Sequence, residues 1–248
     1  MADKNSNGSA ILEMQDVDVS MRTHPRVLRV AGVNWKVGAG DYWVVGGPPE
    51  SGKTELLSTA AGLHRPARGT VRLFGESLGE LAEPNLLKQR TRIGFVFDSG
   101  GRIFSDMTVA ENIALPLRYH HNISTDRALN VVHALLQLTE LGDIGSESPQ
   151  HLGAVMHLRL DLARALAMKP EILFLDEPLV GLDWRHRQWW LDFLQRLTAG
   201  IPFMEGRKAA VVVTTNDFTP WHGRSVRYAL IRDKRWQTLG EAAEPPNV

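Results

Sequence analysis

Two short runs carry the residues best suited to chemistry. The first, Gly47-Pro48-Pro49-Glu50-Ser51-Gly52-Lys53-Thr54, fits the spacing G-x-x-x-x-G-K-[ST]. A loop of this kind that opens a helix points several backbone N–H groups into one small volume, where phosphate oxygens are favoured. Lys53 adds a mobile positive charge for β- and γ-phosphates, and the Thr54 hydroxyl is a ligand for Mg²⁺. Glu55 completes the candidate nucleotide-binding set, Gly47 to Glu55. Pro48 and Pro49 remove N–H groups only early in the loop, upstream of the donors needed from position 50 onward. Glu50 carries a side chain where glycine would be freest, so its backbone is expected to avoid positive φ.

The second run is Asp176-Glu177, directly after the apolar Ile172-Leu173-Phe174-Leu175. A buried strand ending in two carboxylates places charge at the sheet edge where open α/β folds bind ligands. Asp176 is a candidate Mg²⁺ ligand, and Glu177 is placed to orient or deprotonate an attacking water. Alone, the pair would read as a solvated turn, and the first run as a glycine turn with an incidental lysine. Together, in strand–loop–helix context, they point to a nucleotide site.

The elements that must hold these residues alternate along the chain. Strand-like stretches at Ile11–Ser20, Val27–Val37, Tyr42–Val45, Val71–Phe74 and Ile93–Phe97 come first, with a helix from Lys53 to Leu63. Thr108-Val109-Ala110-Glu111 is a capping box opening a helix that Pro116 should kink or end. Helices at about 126–141 and 157–168 follow, then strand 172–175, helix 185–197, and strands at 210–213, 226–231 and 236–239. This pattern gives an α/β fold with a mixed sheet, an N-terminal antiparallel portion and a helical insert at about 99–166. Residues 1–10 and 242–248 read as frayed tails around one domain, 11–241.

Of 248 residues, 28 are basic and 28 acidic, which disfavours a general nucleic-acid binder relying on bulk charge. There is no cysteine, so disulfides, a thiol nucleophile and Cys-ligated metal are excluded. No run approaches the ~18 apolar residues of a membrane span, and the first ten residues lack the apolar centre of a secretory signal. The expected location is therefore cytoplasmic, with any membrane role arising through a partner. Trp184, Trp189 and Trp190 read as packing residues. Ile103, Phe104, Met107 and Val109 would either line a docking groove or fill the helical insert.

With Gly181-Leu182-Asp183 following the acidic pair, these elements resemble the nucleotide-binding domain of ATP-binding cassette transporters over residues 11–241. Within that family, Phe97–Tyr119 is most similar to the ATPases of lipid-transporting, Mla-type (MCE-associated) systems. The resemblance implies ATP and Mg²⁺ as cofactors, and a head-to-tail pair of ATP-binding subunits, identical or unlike. It also implies transmembrane permease partners holding the chain at the inner face of the membrane. It assigns Asp98 to a position that touches Mg²⁺ and the attacking water, and Asn216 to a switch position near the terminal phosphate. It makes Leu152-Gly153-Ala154-Val155-Met156 the signature segment offered in trans to the partner's nucleotide.

The departures from the family's pattern fall on sensing. The signature serine is absent, and branched Val155 stands at a glycine position. Asp98 replaces glutamine and Asn216 replaces histidine, so the latter cannot relay a proton near neutral pH. The adenine-stacking aromatic near Met21–His24 is missing. The expectation is an ATPase with low or partner-dependent turnover. The alternative is a catalytically weak regulatory or scaffold subunit paired with an active ATPase. A non-transport cassette protein is disfavoured by the lack of a long coiled coil or a second cassette.

Overall fold

The structure is a computed structural model that describes residues 10–98, 101, 103–121 and 125–240. The expected frayed tails lie outside these residues, apart from Ala10. Strand β1 (Leu12–Ser20) buries Leu12, Met14, Val17 and Val19 while Gln15 and Asp16 are exposed. The inward phase slips by one residue between Met14 and Val17. A bulge there, with Asp16 at φ 48°, absorbs the slip and keeps both halves facing the core. β1 pairs antiparallel with β2 (Leu28–Val37) and β4 (Arg68–Leu73), and β4 carries the short β5 (Glu76–Ser77).

Strands β3 (Tyr42–Gly46), β8 (Ala210–Thr215), β7 (Ile172–Leu175) and β6 (Ile93–Val96) are neighbours in that order and parallel. β3, β7 and β8 are buried throughout, as expected of parallel strands covered on both faces. Their side chains divide with period two. Ile172 and Phe174 share an apolar layer with Leu56 and Leu57 of helix α1 (Lys53–Ala60) and with the antiparallel strands. Leu173 and Leu175 share the other layer with Trp190 and Leu194 of helix α6 (Trp184–Ala199). β9 (Arg227–Arg232) and β10 (Arg235–Gly240) complete a ten-stranded mixed sheet.

Helix α2 (Glu83–Arg90) precedes β6, and α3 (Val109–His121), α4 (Thr125–Leu138) and α5 (Ala154–Leu166) lie between β6 and β7. The capping box forms as expected: Glu111 N donates to Thr108 Oγ1 at 3.2 Å, and Thr108 N to Glu111 Oε2 at 2.8 Å. Pro116, expected to kink or end the helix, does not end it, and α3 runs through it. Ile113 and Leu117, on either side of the proline, are buried in the core. Packing of that face outweighs the lost backbone hydrogen bond. The tryptophans divide: Trp190 is fully buried and Trp189 stacks on Phe193 at 5.0 Å, but Trp184 is 76% exposed and does not pack. The apolar set after Asp98 also divides. Val109 is buried and Ile103 packs on the core, whereas Phe104 is largely exposed.

Candidate functional site

Register brings the candidate residues together. Gly46 pairs with Thr215, Leu175 with Val213, and Val96 with Leu175, so β3, β8, β7 and β6 end at one sheet edge. The loop after β3 holds Gly47 to Gly52, and the turn after β7 holds Asp176 and Glu177. Asn216 follows β8, and Phe97-Asp98 follows β6. This is the carboxyl edge at which parallel sheets bind ligands.

Lys53, the first residue of α1, is almost fully buried. Its Nζ donates to Gly47 O at 3.0 Å, Pro48 O at 3.1 Å and Asn216 Oδ1 at 2.7 Å, and lies 3.2 Å from Glu177 Oε1. Asn216 Nδ2 in turn donates to Glu177 Oε2 at 2.8 Å. One amide therefore bridges the cation and the carboxylate. Beside this cluster, Thr54 Oγ1 donates to Asp176 Oδ2 at 2.7 Å and Thr214 Oγ1 donates to Asp176 Oδ1 at 2.6 Å. Thr214 Oγ1 also accepts from Glu177 N at 2.9 Å, which holds Glu177 at φ 46°, a left-handed conformation unusual for a residue with a side chain.

Thr214 was not anticipated. The available signal was a hydroxyl at the end of the strand that adjoins β7, two residues before Asn216. Glu50 also differs from expectation, since its backbone adopts φ 62°. Arg29 Nη1 donates to Glu50 O at 3.3 Å, a contact from β2 that helps fix the turn, and the exposed side chain costs nothing in packing.

Burial raises the Asp176 carboxyl above its ordinary range. Hydrogen bonds from Thr214 and Thr54 oppose this, and the charges of Asp98 and Glu177 push it further up. A cation beside Asp176 would relieve that repulsion. Among the described residues no group of three His, Cys, Asp or Glu side chains is close enough to hold a metal alone. An ion here would rest on Thr54, Asp176 and oxygens brought by the ligand, with Asp98 exposed at the mouth of its loop. The loop fits a phosphate: Ser51 Oγ is buried without a hydrogen-bond partner among the described residues, and it lies 2.6 Å from where a Cβ on Gly47 would sit. The first-turn N–H groups of α1 have no intrahelical partners, and Glu55 stands half-buried in that turn.

The structure does not bring Leu152–Met156 into this cluster. Helix α5 begins at Ala154, three residues before the expected start, so Ala154, Val155 and Met156 form its first turn and Gly153 its N-cap. Among the described residues no side chain caps that end; Gly153 and Ala154 are exposed, while Leu152, Val155 and Met156 pack against the core. Near Met21–His24 the chain makes a tight turn, Val27 N to His24 O at 2.8 Å, and His24 is exposed.

A family model described as ABC transporter matches residues 30–180. An uncharacterized ABC transporter ATP-binding protein of Thermotoga maritima is 34% identical over 192 residues, covering 77% of this chain and 79% of that one. The methionine import ATP-binding protein MetN of Lacticaseibacillus paracasei is 34% identical over 76% of this chain. The spermidine/putrescine import ATP-binding protein PotA of Thermobifida fusca is 33% identical over 87%. This chain spans 53%, about half, of the length of each of the latter two. The ATP-binding cassette MJ0796, in a dimeric post-hydrolysis structure with ADP and Pi, superposes with a TM-score of 0.80 at 24% identity. It covers 92% of this chain and 98% of its own, a likeness that shows the fold. The chain belongs to the ABC transporter ATP-binding family and is an ATPase cassette.

Proposed function

We propose that the chain binds Mg·ATP in the Gly47–Glu55 loop and serves as the ATP-driven subunit of a membrane transport complex. The meeting of Lys53, Asn216 and Glu177 beside the Thr54–Asp176 pair carries the reading. In it, Lys53 and the loop N–H groups neutralise phosphate oxygens, and Thr54, Asp176 and Asp98 hold the divalent ion. Magnesium, when bound, shields charge on the β- and γ-oxygens. Glu177 accepts the proton of the attacking water, and Asn216, hydrogen-bonded to its Oε2, fixes the direction of that carboxylate. Residues 11–241 act as one nucleotide-binding domain, with about 99–166 as its helical insert.

Leu152–Met156 faces the nucleotide of a second ATP-binding subunit, and permease chains hold the pair at the cytoplasmic face of a membrane. Among the described residues no helix is long and apolar enough to cross a membrane, which is compatible with such partners. Lipid as cargo rests on the resemblance of Phe97–Tyr119 alone, and the relatives named for methionine and for spermidine/putrescine do not support it. Isolation of the complex from membranes, with analysis of its bound small molecules, tests the cargo; a polar solute in place of lipid removes it.

A second reading, a regulatory or scaffold subunit beside an active ATPase, is favoured by one observation: α5 opens on Gly153 and Ala154 with no hydroxyl to offer. Titrating Mg·ATP into the purified chain and its Lys53→Ala variant tests what both readings share. Loss of that ammonium is expected to weaken binding about a hundredfold, on the scale of charge-assisted phosphate contacts. Undiminished binding by the variant removes both.

A further inference from the structure

Asp161 lies on α5, seven residues beyond Ala154, in a run otherwise apolar on both sides (Leu160, Leu162). It is 5% exposed, and its Oδ2 accepts a hydrogen bond from Phe97 N at 3.1 Å. The preceding residue is pinned from another direction, because Val96 O accepts from Asp176 N at 2.9 Å. The chain leaving β6 is thus clamped at consecutive residues, by β7 on one side and by α5 on the other, one residue before Asp98. The loop also returns over the same carboxylate: a Cβ on Gly101 would stand 2.4 Å from Asp161 Oδ1.

Burial pushes the Asp161 carboxyl up to about 6, with the Phe97 amide and the charge of Arg164 opposing the rise. A buried carboxylate costs stability unless it is partnered. The charge of Arg164, on the same helix, offsets part of that cost. The hydrogen bond from Phe97 N and the close approach of Gly101 place the carboxylate against the Asp98 loop.

We propose that Asp161 is a positioning residue: its contact with Phe97 N sets where the Asp98 loop leaves the sheet and makes that loop move with α5. The helix whose first turn carries Ala154–Met156 thereby shares a lever with the loop that carries Asp98. The proposal rests on the reading of Asp98 as a group that reaches the ion and the water.

Two measurements on the full chain test it. In Asp161→Leu, which keeps bulk and removes the acceptor, the Phe97 amide is expected to exchange with solvent about tenfold faster, the scale of one hydrogen bond to a charged group. Asp161→Asn, which keeps an acceptor oxygen, should restore most of the protection. In steady-state ATPase assays, Asp161→Leu should lower kcat several-fold with little change in KM, and this effect should vanish in an Asp98→Ala background. An unchanged Phe97 exchange rate in a folded Asp161→Leu chain overturns the proposal, as does an additive loss in the double variant. If the wild type fails to bind ATP, the nucleotide reading fails instead, and the exchange experiment still reports on Asp161. If Asp161→Leu does not fold, Asp161→Asn with wild-type protection and kcat supports the proposal, whereas lost protection with unchanged kcat overturns it.

Discussion

The carboxyl edge of the parallel strands and the start of α5 are built to opposite standards. At the sheet edge, five side chains from three segments interlock: Lys53, Asn216, Glu177, Asp176 and Thr54, with Thr214 beneath them. At the start of α5 Gly153 and Ala154 are exposed, and among the described residues no side chain caps the turn. A helix terminus can still attract an anion through its dipole, but that contribution is small beside a buried ammonium. The chain is therefore well equipped for whatever sits in its own loop and poorly equipped for whatever a partner presents to α5.

The largest expected effect lies at the strong end of this contrast. Glu177→Gln should cut ATP turnover about a hundredfold to ten-thousandfold, the range of general acid–base catalysis. Mg·ATP affinity should rise modestly, because Lys53 loses a competing charge. Turnover that survives the substitution in single-turnover assays would assign the proton to another group. A smaller effect is expected from repair of the weak end. Restoring the hydroxyl and the glycine together, Gly153→Ser with Val155→Gly, should raise ATPase of the chain alone about tenfold, below the full worth of one charge-stabilising donor. No gain means that α5 does not meet a second nucleotide, and the contrast loses its functional meaning.

The smallest effect is on stability. Asp161 binds its proton more readily folded, at about 6, than at its ordinary 3.8, so its own contribution to native stability rises as pH falls through that window. Between about pH 8 and about pH 5, the wild type should gain on the order of 1 kcal/mol relative to Asp161→Asn, measured by urea unfolding. A difference that stays flat with pH would show the carboxylate to be better solvated than its burial indicates.

Much of this was legible in the chain because the signals were local. Ile172–Leu175 is bounded in the structure as its composition predicts, and the Thr108–Glu111 box closes as read. The phosphate loop, the acidic pair and Asn216 do converge, since each follows a parallel strand and register does the rest. What was not legible depends on tertiary contact. Pro116 stays helical because its neighbours are buried, and Glu50 takes positive φ in a turn that Arg29 supports from another strand. Trp184 is exposed because, six residues before the buried Trp190, it lies about 120° round the helix from that residue. Thr214 and Asp161 act through partners 37 and 64 residues away, beyond any pattern of spacing.

The Lys53 ammonium has three hydrogens, yet four oxygens lie within 3.2 Å of it. A phosphate oxygen entering the loop would compete with all four, and by like charge it would repel Glu177, the one anion among them. If Glu177 is the proton acceptor, as proposed above, loading and arming would be successive events in one circuit: without fuel the carboxylate stays tethered, and arrival of the fuel would release it.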